Sequence, residues 1–411
     1  MKVLYVVASC LNRNTSANMS HNAYVQGLLE NGCNVTILMA KDSWGEFDRG
    51  LPSWEQAQYY SYASVAFLDR LRKKFQTTST APSAVAANNS ESFSGNSTAV
   101  GKNLKQKLRS CMKTIFYKLF PRDPCYPLEK TWLKRAAKFK SSEMYDLVVS
   151  NSSPAASHKL VAELIKKGRI SCKRWIQIWE DPWYYDLYGG HSKEILREEH
   201  ALLRQANEIY YVSPLTLKYQ KELFADCAEK MKHIPLPYLV FSKDDGILPD
   251  ECTFGYFGDY YSHTRNLKPF YDAIASTDFK AYIFGDSDLR LTSTDHIKVS
   301  GRVTLDVLEE VQQKTRVLVH LCNLRGGQIP GKIYHYSATN KPILFILDGT
   351  EEEQMLLRGY FESFGRYYFC ENSLKSISFV LQRIHEDSFK NKRWTPLEVF
   401  SPKTVVASLI K

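Results

Sequence analysis

The residues best suited to hold a charged ligand lie in one stretch, Gly326-Gly-Gln-Ile-Pro-Gly-Lys-Ile-Tyr-His-Tyr-Ser-Ala-Thr-Asn-Lys-Pro342. It follows an apolar run, passes through glycines, and opens a helical pattern with Pro330 near its first turn. Free backbone N–H groups at a helix start attract phosphate, and the helix dipole adds to this. Lys332 adds a full positive charge. The same letters also describe an ordinary βα turn with a proline start. A second stretch, Gly258-Asp259 with Arg265, follows another apolar run. Glycine just past a strand end lets a ligand approach the backbone closely, and Arg265 and Lys332 together can hold a diphosphate. A cation at a helix start opposes the dipole, so Arg265 is either a solvated charge or part of an anion site. A third group, Glu180 and Asp181, closes the run Trp175 to Trp179. These carboxylates can bind hydroxyl groups or cap the next helix. His158 stands alone, and a lone histidine is more often structural than catalytic. Asp286-Ser-Asp288 is D-x-D in letters but reads as a turn. No GxSxG, HExxH or Walker-type phosphate loop occurs.

These residues need a scaffold of strands and helices. Lys2 to Ala8 reads as a buried strand, a polar loop runs to about Ser20, and His21 to Asn31 has helical spacing before the strand Val35 to Ala40. Strand, helix and strand in this order imply a parallel sheet. The alternation continues through the strands Tyr145–Ser150, Trp175–Trp179 and Glu208–Ser213, with helices at 157–167 and 192–206. His233-Ile-Pro-Leu-Pro-Tyr238 and the polar residues after it read as a hinge over 236–250. A second series follows, with strands at 253–257, 280–284, 296–299, 317–321, 342–346 and 366–370 and helices at 266–276, 304–314, 330–338, 351–359 and 373–387. Two doubly wound α/β domains, 1–235 and 251–390, then face a central cleft. Ligands bind there at the carboxyl ends of the strands. The C-terminal segment 391–411 can return to the first domain.

The chain has 411 residues, 44% of them apolar and 24% charged, the balance of a globular protein with a large core. No apolar run is long enough to span a bilayer. Its nine scattered cysteines include no CxxC pair and predict free thiols in a reducing compartment, with no metal site. Val7-Ala-Ser-Cys10 is spelled like a lipoprotein cleavage site, but the apolar stretch before it is too short. Residues 77–101 are mostly Ser, Thr, Ala, Asn and Gly, with almost no large apolar side chain, and predict a flexible insertion. Residues 102–140 carry twelve Lys or Arg against two carboxylates, a surplus equal to the net charge of +10 of the whole chain. One basic segment on a neutral body points to a local acidic partner and not to nucleic acid. Between 104 and 120 an apolar stripe at helical spacing is interleaved with Lys105, Lys107, Arg109 and Lys113. Such a helix either lies on an anionic membrane surface or packs on the domain with its basic face wet.

The block from Pro330 to Pro342 resembles the donor-binding signature of glycosyltransferase family 4, the retaining GT-B enzymes, with Pro330, Gly331, Lys332, Tyr334, Tyr336, Ala338, Lys341 and Pro342 in register. Phe254 to Asn266 resembles the family's glycine loop and following basic residue, and Tyr145 to His158, Glu180 to Trp183 and Ala206 to Ser213 resemble acceptor-domain pieces of its polysaccharide-assembly members. The resemblance implies a metal-independent transfer of a sugar from a nucleotide diphosphate to a glycan, plausibly lipid-linked, at the cytoplasmic face of the plasma membrane. No cofactor is implied, because the nucleotide sugar is a substrate. The implied donor site is Gly258, Asp259, Arg265, Asn323, Gly327, Gln328, Ile329, Pro330, Gly331, Lys332 and His335. Glu180 and Asp181 are the catalytic candidates, and His21, Asn151, Ser152 and His158 the acceptor-side ones. The family usually has two glutamates eight positions apart across the phosphate turn, where this chain has Gly327 and His335. That departure leaves open a catalytically silent nucleotide-sugar or glycan-binding scaffold, and a sugar epimerase of similar fold is a third reading.

Overall fold

The computed structural model describes residues 1–13, 15–41, 51–64, 123–187, 189, 191–239, 248–325, 327–388 and 394–411. The insertion 77–101, the basic residues Lys105, Lys107, Arg109 and Lys113, residues 240–247 of the hinge, and Gly326 lie outside them.

The first strands are β1 (Lys2–Val7), β2 (Asn34–Lys41), β3 (Gln58–Ala63), β4 (Met144–Asn151), β5 (Ser171–Trp179), β6 (Glu208–Tyr211) and β7 (Met231–His233). They form a seven-stranded sheet in the order β3-β2-β1-β4-β5-β6-β7, parallel throughout. Val3 to Val7 of β1 are buried, as a central parallel strand covered on both faces requires. The short strands β3 and β7 were not expected from the sequence. Tyr59 to Tyr62 are half-buried or exposed at the sheet edge, so β3 lacks the apolar run that marked its neighbours.

A second sheet holds β8 (Thr253–Phe257), β9 (Lys280–Phe284), β10 (Ile297–Ser300), β11 (Val317–Leu321), β12 (Ile343–Leu347) and β13 (Tyr367–Glu371) in the order β10-β9-β8-β11-β12-β13. This too is parallel. In both sheets the order reverses beside the first strand. The carboxyl ends there open a crevice between diverging loops. The doubly wound α/β architecture expected from the sequence is therefore present twice.

Helices α1 (Ser16–Glu30), α2 (Lys130–Ala136), α3 (Ala156–Lys166), α4 (Lys193–Gln205) and α5 (Pro214–Leu223) accompany the first sheet. Helices α6 (Lys268–Ala275), α7 (Leu305–Gln313), α8 (Lys332–Ser337), α9 (Glu351–Glu362) and α10 (Leu374–Ser388) accompany the second, and α11 (Pro402–Ile410) ends the chain. Helix α1 starts five residues before its expected position. Thr15 caps it by accepting from the Asn18 N–H, while Asn18 and Asn22 point inward and donate to the carbonyls of Cys10, Arg13 and Leu11. Buried asparagines interrupt the apolar spacing, so the first turns read as loop. His21 and Asn22 consequently lie inside a helix.

The two halves share one continuous apolar cluster, from Val3 and Ile37 through Leu215 and Ile333 to Phe345 and Val406. Helix α11 crosses back to pack on α1, where Asn31 donates to the Lys403 carbonyl at 2.9 Å. The crossing depends on Gly27, because a Cβ there would stand 2.2 Å from the Pro402 carbonyl oxygen and 2.5 Å from Val406. Gly359 in α9 has open space around it. Gly27→Ala should therefore lower the melting temperature, with overpacking costing about 1–3 kcal/mol. Gly359→Ala should leave it unchanged or raise it, since alanine gains up to about 1 kcal/mol over glycine in a helix. Parallel thermal melts compare the two, and an unshifted Gly27→Ala melt would contradict the packing role of Gly27.

Candidate functional site

A cavity of about 860 Å³ lies between α1 and the carboxyl-end loops of the second sheet. The loops after β8, β9 and β10 shape one wall. Gly258 donates its N–H to the Phe284 carbonyl, and a Cβ on Gly285 would stand 1.9 Å from the Gly258 carbonyl oxygen, so only glycine allows this approach. Asp259 ties the loops together. Its Oδ1 accepts from the Asp286 N–H at 3.0 Å and from Arg302 Nε at 2.9 Å, and its other oxygen also pairs with Arg302. These bonds outweigh the burial of Asp259 and hold its carboxyl below the usual range. Asp259 is thus neutralised by its own wall. Asp286 accepts from the Arg302 N–H and Asp288 from Ser262, the turn role expected of that D-x-D.

Lys332 enters from the opposite side. Its stem passes 3.8 Å from where a Gly258 side chain would begin. Its ammonium makes no hydrogen bond or ion pair with any described residue. Burial pulls its pKa down to about 8; Asp259 opposes this, and the charges of Arg302 and Arg265 reinforce it. Arg265, whose N–H bonds the Tyr261 carbonyl at 2.8 Å, lies in the turn before α6 and lines the same space. It precedes the helix by three residues and does not open it as expected. Helix α8 is also shorter than expected, six residues from Lys332 to Ser337. Its dipole is correspondingly small, so the attraction for an anion comes chiefly from the side chains of Lys332, Arg265 and Arg302. Arg302 was missed in the sequence because it comes from an unremarkable loop 43 positions from its partner Asp259.

Of the donor-side candidates, Gly258, Asp259, Arg265, Pro330, Gly331, Lys332 and His335 line the cavity. His335 Nδ1 accepts the Leu239 N–H at 3.4 Å. Burial, and then the Lys332 charge, pull its pKa to about 4, so the ring is neutral near pH 7. Asn323, Gly327, Gln328 and Ile329 are not among the lining residues. Ile329 joins the apolar core. Gly327 has φ +72 and packs on α5, where a Cβ would meet Leu215 at 3.1 Å and the Thr216 nitrogen at 3.2 Å. A glutamate at that position is excluded by backbone and packing alike. Gln328 turns to the first domain. The other wall supplies Thr15, Ser16 and Met19 from the start of α1, and a Cβ on Gly331 would lie 3.6 Å from Ser16 Oγ. The Thr15 cap was the available signal, hidden by the asparagines behind it.

The acceptor-side candidates separate by sheet face. His158 is fully buried, with Nδ1 2.8 Å from Ser150 Oγ and its ring 4.2 Å from that of Trp179. Burial pushes its pKa to about 3, and it belongs to the core. His21, Asn151 and Glu180 meet on the other face, around Tyr5. Asn151 donates to the Tyr5 hydroxyl at 2.9 Å, and His21 Nδ1 lies 3.4 Å from both that hydroxyl and Glu180 Oε1. Burial lowers the His21 pKa to about 4 and, with the Asp181 charge, raises that of Glu180. Both groups are held towards neutrality. His21 Nε2, Asn151 Oδ1 and Ser152 Oγ are buried without a hydrogen-bond partner among the described residues. Such atoms mark a place where water or a ligand completes the bonding. Asp181 accepts from Gln328, and burial raises its pKa to about 6.

No protein-family model and no curated protein sequence matches the chain. Solved structures do. Sucrose-phosphate synthase from Thermosynechococcus elongatus superposes over 100% of this chain and 94% of its own, with a TM-score of 0.55 and 12% identity. An E. coli structure described as trehalose-6-phosphate bound with UDP-2-fluoro glucose covers 100% and 95%, with a TM-score of 0.50 and 9% identity. The chain has the GT-B fold. Within a GT-B frame the cavity occupies the second Rossmann-like domain and is closed by the first helix of the other.

The Lys332 ammonium fixes a pH dependence for anion binding. With a pKa of about 8 it is charged below that pH and neutral above it. Affinity for an anion held in this cavity should be level from about pH 6.5 to 7.5, then fall by up to tenfold per pH unit above about 8. Lys332→Arg should abolish that fall, because a guanidinium stays charged. Isothermal titration across pH measures it, and a level wild-type profile to pH 9.5 would remove Lys332 from the anion site.

Proposed function

We propose that the protein is a glycosyltransferase that holds the diphosphate of a nucleotide sugar against Lys332 and Arg265 and passes the sugar to an acceptor entering from the first domain. The observation that carries this reading is the lysine ammonium in an interdomain cavity, with no carboxylate among the described residues bound to it, next to Arg265 and the Gly258 backbone. The GT-B fold of the chain supports it. So does the described ligand of one neighbour, UDP-2-fluoro glucose. Departure of a nucleoside diphosphate leaves negative charge on its phosphates, and preplaced cations lower the barrier to that charge. Arg302 is kept nearby by Asp259 and can add to the field. The family resemblance supports transfer with retention, and the preplaced cations support departure of the diphosphate without a metal. The cluster around Tyr5, His21, Asn151 and Glu180, with its unpartnered buried atoms, suits the hydroxyl groups of a glycan.

Lys332→Ala and Arg265→Ala should each weaken nucleotide-sugar binding by roughly 1.5–3 kcal/mol, the usual worth of a charge-assisted bond. Transfer should slow in step and persist in EDTA. A thermal-shift panel of UDP-, GDP- and TDP-sugars identifies the donor, and NMR of the product gives the anomeric configuration. Unchanged affinity in both variants would sink the site assignment, and loss in EDTA with rescue by Mg²⁺ would sink the metal-independent chemistry. A second reading, a silent scaffold, is favoured by one observation: Gly327 and His335 occupy the two positions where the family has glutamates. It would show donor binding without hydrolysis or transfer.

We also propose that the basic segment docks the protein on an anionic membrane near a lipid-linked acceptor, at the cytoplasmic face. No described helix is long and apolar enough to cross a membrane. The support is the confinement of the net charge of +10 to residues 102–140, since each basic residue near an anionic surface contributes about 1 kcal/mol. Vesicles containing phosphatidylglycerol should sediment the protein at low salt and release it at high salt. Replacing Lys105, Lys107, Arg109 and Lys113 by Glu should abolish sedimentation, and indifference of the wild type to such vesicles would end the membrane reading.

A further inference from the structure

Gln328 sits in the phosphate turn, two positions before Pro330 reaches the cavity wall, yet its side chain is buried against the other domain. Its Nε2 donates to Asp181 Oδ1 at 2.6 Å and to Asp186 Oδ1 at 3.2 Å, and its Oε1 accepts the Leu187 N–H at 3.1 Å. The turn is anchored on both sides of this amide. The Gly327 carbonyl accepts from the hydroxyls of Ser213 and of Thr216, the latter at 3.2 Å, and the Gln328 carbonyl accepts from Asn323 Nδ2 at 3.0 Å. The loop that Gln328 grips is held from behind as well. The buried Glu199 carboxylate of α4 accepts the N–H groups of Trp183 at 3.2 Å and Tyr184 at 2.7 Å. Residues 181–187 are thereby suspended between a rigid helix and the turn that carries Lys332.

We propose that Gln328 is a positioning residue that couples occupancy of the diphosphate cavity to the geometry of loop 181–187, and so to Asp181 on the acceptor side of the cleft. This rests on the glycosyltransferase reading. The chemistry of the position selects a primary amide. Two carboxylates need a donor and a backbone N–H needs an acceptor within one side chain, which glutamine provides. An ionised glutamate would bring a third carboxylate to the other two and donate nothing. Lysine would accept nothing, and leucine would lose all three of these bonds. The amide also favours the carboxylate form of Asp181, opposing the burial that raises its pKa.

Hydrogen exchange on the full chain tests the coupling, with UDP-glucose, GDP-mannose and inorganic pyrophosphate as probes. In the wild type, a probe that binds should slow exchange in the peptide covering 183–187. Gln328→Leu should bind the same probe within threefold of the wild-type Kd but lose that slowing. Its turnover of donor should fall at least tenfold, with KM moved less than threefold. Gln328→Glu should behave like Gln328→Leu at pH 8 and recover at pH 6, where a shared proton lets the new carboxyl donate. Wild-type slowing in Gln328→Leu, or wild-type turnover of Gln328→Glu at pH 8, would overturn the coupling alone. A wild type that binds none of the three probes would overturn the donor reading and the coupling with it.

Discussion

Lys332 carries an ammonium into a cavity where burial already pulls its pKa towards neutrality, and no carboxylate among the described residues is bound to it. The nearest acid on that wall, Asp259, is spent on Arg302 and the Asp286 amide. Desolvating a cation without a partner costs free energy, which the fold recovers through the packing that surrounds the site. Gly285 lets the β8 and β9 loops touch, and the Lys341 ammonium is held by the carbonyls of Gln312, Gln313 and Thr315. The result is a positive corner built from Lys332 and Arg265, with Arg302 tied to Asp259 beside them.

That corner is useful only if the second wall stays in place. The apolar cluster running through both halves provides the bulk of the attachment. Direction comes from polar bonds across the seam, including Tyr334 to the Val212 carbonyl at 3.1 Å and Tyr219 to Glu353 at 3.2 Å. Helix α11 closes the circuit by packing on α1, the same helix whose first residues line the cavity. Helix α11 therefore supports the cavity wall opposite the second domain.

The first domain treats its buried polar groups differently. On one face of the sheet His158 Nδ1 meets Ser150 and its ring packs on Trp179, with only Nε2 lacking a partner among the described residues. On the other face, around the Tyr5 hydroxyl, His21 Nε2, Asn151 Oδ1 and Ser152 Oγ lack partners among the described residues, and burial drives His21 and Glu180 towards their neutral forms. A neutral polar cluster attracts hydroxyl groups more readily than ions. This complements the cationic second domain, one side suited to phosphate and the other to an uncharged acceptor.

Much of the fold was legible because parallel strands buried on both faces are spelled as apolar runs. Five-residue strands such as Thr253–Phe257 and Val317–Leu321 stand where their letters put them. That Gly258, Arg265 and Lys332 could share one cavity was legible as well, because glycines and cations beside strand ends are local signals, whereas His335 was named only through the family resemblance. The edge strand β3 was not, since half-exposed tyrosines carry no such pattern. The start of α1 was hidden by asparagines whose partners, the carbonyls of Cys10, Leu11 and Arg13, become neighbours only once the loop folds back. Arg302 and Gln328 belong to the same class. Each acts through a partner 43 or 147 positions away, and chain spacing says nothing about such a pair. Sequence by itself determined which segments become strands and which local turns can face an anion. Only the tertiary structure decided which way each turn residue points, because that choice is made by the domain packed against it.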